Sequence, residues 1–270
     1  MSVKLIAVDM DGTFLDDEKR YNRARFLNQY QQMKAQGIRF AVASGNQYWQ
    51  LISFFPEIAH EIAFVAENGG WVRDAGEDVF NADLSRGHFE QVLDFLHGLS
   101  DVEIIACGKR SAYTLRRYSD DVKAVVARYY HRLETVDDLR APQDTFLKFG
   151  LNVPDSLVPE LQAALNDSLG HMMTAVTTGH GSIDLIIPGI HKANGLRLLQ
   201  ERWGIEDSDV VAFGDSGNDL EMLRQARFGF AMANAIPAAK AAARYRAPEN
   251  NQEGVLQIVD DVLNARAPFA

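Results

Sequence analysis

The sequence predicts an α/β protein: a parallel sheet covered by helices on both faces, interrupted by an inserted α+β domain. Three observations carry that expectation. Short apolar runs near 4–8, 38–43 and 62–66 each end in a polar or glycine-containing cluster, and stretches with helical spacing separate them, as in successive strand–helix units. The same rhythm returns near 209–232. Between these two regions, from about 83 to 188, the runs lengthen and alternate, which reads as a different kind of sheet.

Taken in order, residues 4–8 read as a buried strand whose C-terminal end delivers Asp9-Met10-Asp11-Gly12 to a surface crevice. Phe26, Leu27, Tyr30 and Met33 recur at helical spacing over 25–36, and Gly37 supplies the stop. A strand over 38–43 ends in Ser44-Gly45-Asn46, and one over 62–66 ends in Glu67-Asn68-Gly69-Gly70. Residues 76–83 are expected to hinge outward, and Pro188-Gly189 to hinge back. Inside the insertion, strands are expected at 102–107, 112–116, 145–153 and 182–187, with two helices at 89–98 and 157–169. Leu196, Leu199 and Trp203 then mark a helix, followed by a strand at 209–213, a helix at 220–225 and a strand at 228–232. The expected division is a core of 1–83 and 189–270 around an inserted domain of 84–188.

Composition narrows the class. A chain of 270 residues, 47% hydrophobic and 24% charged, can bury a sizeable core without staples. The lone Cys107 has no disulfide partner and reads as a small buried residue. A net charge of −10 argues against broad nucleic-acid or anionic-membrane binding, both of which need a basic surface. No window approaches 18 consecutive apolar residues, and the N-terminal run reaches Asp9 too soon for a signal-peptide core, so a cytoplasmic protein is expected. No obligate protein partner is evident. The seven histidines show no zinc-ligand spacing, and His180 and His191 read as local hydrogen-bonding residues. Trp49, Phe54 and Phe55 read as core packing.

Chemistry gathers at the strand ends. Asp9 and Asp11 stand two apart just beyond the first strand; alone, they are equally an acidic turn. Asp215-Ser216-Gly217-Asn218-Asp219 follows another strand, and alone is equally a capped loop. Two acidic clusters at two strand ends are harder to dismiss, because carboxylates brought together repel one another unless a hard cation such as Mg²⁺ sits among them. Ser44-Gly45 precedes a helix, where a hydroxyl and free N–H groups make an anion site, or only a cap. Lys192 stands in a first helical turn, where a cation opposes the helix dipole; that hints at use, the alternative being a solvated surface lysine. A carboxylate nucleophile, a second carboxylate for proton transfer, a cation site and phosphate-charge neutralisers form a phosphoryl-transfer inventory.

These residues resemble the haloacid dehalogenase-like hydrolases, specifically the Cof-type sugar-phosphate phosphatases. The resemblance rests on Asp9-Met10-Asp11-Gly12-Thr13, Val42-Ala43-Ser44-Gly45-Asn46, Lys192 and Gly214-Asp215-Ser216-Gly217-Asn218-Asp219 in that order. It implies a Rossmann-like core, a mobile cap inserted after the third core strand, and Mg²⁺-dependent hydrolysis of small phosphate monoesters. By the same resemblance Asp9 is nucleophile and metal ligand, and Asp11 is the acid/base that also touches the metal through its carbonyl. Ser44, Gly45 and Lys192 hold the phosphoryl oxygens, Asp215 is the second carboxylate ligand, and Asn218 and Asp219 complete the metal and phosphate shell. Asn46 stands where many Cof-type relatives carry arginine. The same core can serve a phosphotransferase or mutase, and a non-catalytic phosphometabolite sensor is the competing class. Glu67, Asn68 and Asp184 are further candidates for the pocket, Asp184 for substrate hydroxyls, with no single residue of the insertion favoured.

Overall fold

The structure is a computed structural model describing residues 3–179 and 181–270, so His180 lies outside the described residues. The chain opens as β1 (Leu5–Val8), α1 (Arg23–Ala35), β2 (Arg39–Ala43), α2 (Tyr48–Phe54), β3 (Ala63–Ala66), β4 (Trp71–Asp74) and β5 (Glu77–Asn81). It continues as α3 (Arg86–His97), β6 (Glu103–Gly108), β7 (Ala112–Leu115), α4 (Asp120–Tyr129), β8 (Leu133–Val136), β9 (Phe146–Asn152), α5 (Val158–Leu169), β10 (Thr174–Gly179) and β11 (Ser182–Ile186). The last stretch is α6 (Lys192–Trp203), β12 (Val210–Gly214), α7 (Leu220–Gln225), β13 (Phe228–Met232), α8 (Pro237–Ala242), β14 (Tyr245–Ala247) and α9 (Gly254–Leu263).

These strands form two sheets. The first runs β14-β13-β12-β1-β2-β3-β4-β5, and the second β10-β11-β9-β6-β7-β8. From β14 to β3 the first sheet is parallel, with β1 between β12 and β2 at its centre. A central parallel strand is covered on both faces, which is why Leu5, Ile6, Ala7 and Val8 are all fully buried. Alternation sends Ile6 and Val8 into the layer with Phe26, Met33 and Val259, and Leu5 and Ala7 into the layer with Leu196 and Leu199. Phe55 is buried in the first of these layers, with Trp49 and Phe54 packed against it.

The second sheet is antiparallel except for β7 beside β8. Its outer face packs Phe149, Leu151, Ile183 and Leu185 against Phe89, Val92 and Leu165 of α3 and α5. The period of two then puts Lys148, Gly150 and Asn152 of β9, and Ser182 and Asp184 of β11, on the opposite face. That face turns toward the strand ends of the first sheet.

Three expectations need correction. Residues 76–83 are not a free hinge: β5 pairs antiparallel with β4 through a tight turn at Ala75-Gly76, both with positive φ, as two-residue hairpins require. The crossing is the shorter piece after Asn81. The half-buried, acidic Glu77-Asp78-Val79-Phe80-Asn81 concealed an edge strand. The first sheet is accordingly not wholly parallel, since β4 also pairs antiparallel with β3. The insertion holds a third helix, α4, which buries only Val126 and so carries little apolar stripe. It also holds two further strands, β8 and the threonine-rich β10, at opposite edges of its sheet. Among the described residues no helix is long and apolar enough to cross a membrane.

Candidate active site

The site grows from the C-terminal ends of β1, β2, β3 and β12. Asp9 continues the ladder, its N–H donating to Phe213 O at 3.1 Å. Gly12, at φ +73°, brings the chain back so closely that a Cβ there would lie 2.7 Å from Asp215 Oδ2; the turn needs glycine both for conformation and for space. The Thr13 hydroxyl donates to Asp215 Oδ1 at 3.0 Å, joining the loops after β1 and β12.

Lys192 is fully buried as the first residue of α6. Its ammonium donates to Asp9 Oδ1 at 2.6 Å and Asp219 Oδ1 at 2.7 Å. His191 caps the same helix, accepting from the Asn194 N–H at 3.4 Å. Asp219 turns its other oxygen to the N–H groups of Asp215 and Ser216, both at 2.9 Å, which sets the loop after β12. Asp9, Asp215 and Asp219 each offer a carboxylate oxygen within 4.8 Å of the others. Burial pushes the Asp9 carboxyl well up, Lys192 opposing and Asp219 and Asp215 adding to the rise. Burial, then Asp219, pushes Asp215 up to about 7. The cluster is short of positive charge.

Asp11 is held from two sides, accepting from Lys19 Nζ on Oδ1 and from Asn46 Nδ2 on Oδ2, both at 2.6 Å. Asn46, noted in the sequence only as a departure, thus orients Asp11. The Ser44 hydroxyl accepts from the Asn46 N–H at 3.1 Å. Asn218 donates to Asn68 Oδ1 at 2.8 Å, and Asn68 donates to Asp184 Oδ2 at 2.5 Å. Lys148 completes this second network, donating to Asp184 Oδ2 at 2.6 Å and Gly45 O at 2.7 Å, with Glu67 at 3.3 Å. Burial pushes Glu67 up to about 7, with Lys148 opposing.

Asp9, Asp11, Ser44, Gly45 and Asn218 line one cavity of about 280 Å³ together with residues of the second sheet and α4. Lys192, Asp215 and Asp219 are not on its wall; they adjoin Asp9 through the contacts above. Sequence reasoning missed Lys148, Lys19 and Tyr130, all of which line the cavity. Lys148 left a visible trace, a lysine inside the otherwise uncharged and largely apolar run Phe146 to Leu151. Trp49 was only half described by core packing: Arg132 of the insertion lies over its ring at 3.2 Å, and Gln47 exchanges two hydrogen bonds with the Arg132 backbone.

The chain is 66% identical over all of its length and 99% of the relative's to the 5-amino-6-(5-phospho-D-ribitylamino)uracil phosphatase YbjI of Escherichia coli K12. It is 25% identical to YitU of Bacillus subtilis, a phosphatase named for the same compound, over 96% of this chain and 97% of that one. The solved structure of SMU.1108c from Streptococcus mutans UA159 superposes with a TM-score of 0.94 at 33% identity, covering 97% of this chain and all of the other. The description of the haloacid dehalogenase-like hydrolases matches residues 6–259. With four loops converging on an aspartate at the end of β1 and a family match along nearly the whole chain, the protein belongs to the haloacid dehalogenase-like hydrolases, in their Cof-type branch.

Proposed function

We propose that this chain is a Mg²⁺-dependent phosphatase that hydrolyses small phosphate monoesters, sugar or polyol phosphates foremost, through an aspartyl-phosphate on Asp9, with residues 84–188 as its cap. The observation that carries the reading is the group of Asp9, Asp215 and Asp219, three carboxylates within 4.8 Å, of which Asp9 and Asp219 share Lys192. Such a donor set suits a hard divalent cation, which prefers carboxylate oxygen and leaves room for water and phosphate. Asp9, Asp215 and the Asp11 carbonyl would hold it, with Asp219 supporting. Bound there, Mg²⁺ would offset charge on the phosphoryl oxygens so that an anionic nucleophile can approach.

In the first half-reaction an Asp9 carboxylate oxygen forms a bond to phosphorus as the bond to the sugar oxygen breaks. Asp11 gives its proton to that departing oxygen. In the second half, water attacks the phosphorus of the acyl phosphate, Asp11 takes the water proton, and Asp9 leaves as carboxylate with release of phosphate. Ser44 and the Gly45 N–H would hold phosphoryl oxygens, and Lys192 would add positive charge beside Asp9. The relatives named for a phosphoribitylamino-uracil support a leaving group with a polyol chain and a flat ring. The apolar stretch of the cavity wall, Ile105, Val125 and Val126, suits such a ring.

Phosphate release is measured over a panel of sugar, polyol, nucleotide and aryl phosphates, with and without Mg²⁺, alongside Asp9→Asn. The expected result is Mg²⁺-dependent release that falls by at least about 10⁴-fold in the variant. Release surviving in Asp9→Asn would reassign the nucleophile, and transfer to an added sugar without free phosphate would make the protein a phosphotransferase.

A further inference from the structure

Two polar groups in the cavity wall, the Asp184 carboxylate and the Tyr130 hydroxyl, flank the same point. Asp184 is 3% exposed and spends Oδ2 on Lys148 and Asn68, while its Oδ1 accepts from no described residue. Tyr130, just past α4, places its hydroxyl 3.5 Å from Cys107 Sγ, a weak partner. An acceptor oxygen with no donor among the described residues and a hydroxyl with a thiol beside it are both able to bond a ligand in the cavity.

The register explains their meeting. Asp184 pairs across β11 and β9 with Gly150, so its side chain rises beside a position that has none. A Cβ at Gly150 would lie 2.6 Å from the Tyr130 hydroxyl oxygen and 3.6 Å from Asp184 Oδ1. Glycine therefore keeps open the space between the two groups. Tyr130, Gly150 and Asp184 line the same cavity as Asp9 and Asp11. Asp184 Oδ2 also lies 3.1 Å from where a Gly45 Cβ would be, so the pair stands close to the loop that follows β2.

We propose that Tyr130, Gly150 and Asp184 form a cap subsite for a hydroxyl of the leaving group, Tyr130 donating to the hydroxyl oxygen and Asp184 Oδ1 accepting its proton. One alcohol satisfies both groups at once, since a hydroxyl both donates and accepts. A plain alkyl chain could bond neither group, and sites built to bond a hydroxyl reject analogues that lack it. Burial pushes the Tyr130 hydroxyl well above its ordinary value, which keeps it a donor at neutral pH. The inference rests on the phosphatase reading for the position of the phosphate, and it narrows the substrate class to hydroxylated monoesters.

The test uses a matched pair, ribitol 5-phosphate and n-pentyl phosphate, which differ only in hydroxyl groups along one chain. Binding is measured by calorimetry with Mg²⁺ in the full-length Asp9→Asn protein, so that it does not depend on turnover, and again with Tyr130→Phe or Asp184→Asn added. The parent is expected to prefer ribitol 5-phosphate by about 30-fold or more. That preference is expected to fall about five-fold in Tyr130→Phe and about ten-fold in Asp184→Asn. Tyr130→Phe retains the ring and remains informative if the loss of charge beside Lys148 unfolds Asp184→Asn. An equal affinity for the two phosphates in the parent, or a preference untouched by Tyr130→Phe, would overturn the subsite. Failure of the phosphatase reading would show separately, as absence of phosphate release by the wild type on any substrate.

Discussion

Lys192 and Lys148 are both buried, at 0% and 2% exposure, and each bridges two carboxylates. They do different work. Around Lys192, three aspartates stand near one ammonium, and burial first, then the neighbouring carboxylates, pushes Asp9 and Asp215 up. Around Lys148, Asp184 and Glu67 face one ammonium, and Glu67, pushed up to about 7, carries only part of a charge at neutral pH. The first cluster has three carboxylates to one ammonium. The second balances itself and spends its bonds joining β9 and β11 to Gly45 and Asn68. Two similar lysine sites thus part company on charge count: the surplus lies where the proposed chemistry would occur, and the nearer balance at the join between the two sheets.

The largest break in this comparison comes from the surplus side. Asp11→Asn is expected to lower turnover by about 10²–10⁴-fold, the range for loss of a general acid/base, measured as phosphate release under saturating substrate. Turnover equal to wild type would remove Asp11 from proton transfer. On the balanced side, Lys148→Met leaves Asp184 and Glu67 buried without their cation, and breaking a buried pair this way costs about 3–5 kcal/mol. Urea denaturation of the metal-free protein is expected to show that loss, and an unchanged midpoint would mean that the Lys148 network contributes nothing to stability.

The smallest effect sharpens both sides together through pH. Glu67 and Asp215 have folded values raised above their ordinary ones. Their contribution to stability is therefore fully present below the ordinary carboxylate range and is lost as pH rises toward 7. Metal-free protein is expected to lose stability between pH 5 and 7.5. Glu67→Gln is expected to flatten that slope, by up to about 3 kcal/mol, while Mg²⁺ is expected to raise the midpoint more at pH 7.5 than at pH 5, where Asp9 and Asp215 more often carry protons. An identical slope in Glu67→Gln would show that Glu67 does not titrate in this window.

The core site was largely legible in the sequence because its parts sit at strand ends. Apolar runs stop at Asp9, Ser44 and Asp215, and a parallel sheet brings those ends to one edge. The cap side was not. Tyr130 follows a helix with one buried residue, and Asp184 and Gly150 look unremarkable until the pairing of β11 with β9 sets them opposite one another. Asn46 read as a mismatch to the family pattern, whereas in three dimensions it is a hydrogen-bond donor to Asp11. The β4–β5 hairpin was hidden for a simpler reason: an edge strand with polar residues lacks the continuous apolar run that betrayed the central strands.

By itself the sequence determined the alternation of buried strand and helix, the strand ends that carry carboxylates, and the family. Local pattern suffices for these, because burial repeats along a strand with a period of two and along a helix with a period near 3.6. Only the tertiary structure decided which groups meet across the cavity, which carboxylates share a lysine, and which polar atoms remain unpaired. Those outcomes depend on register and on contacts between residues more than a hundred positions apart, such as Lys148 with Gly45 and Asn68 with Asp184. No local pattern encodes a distance of that kind, since it arises only when two separately folded faces close on each other.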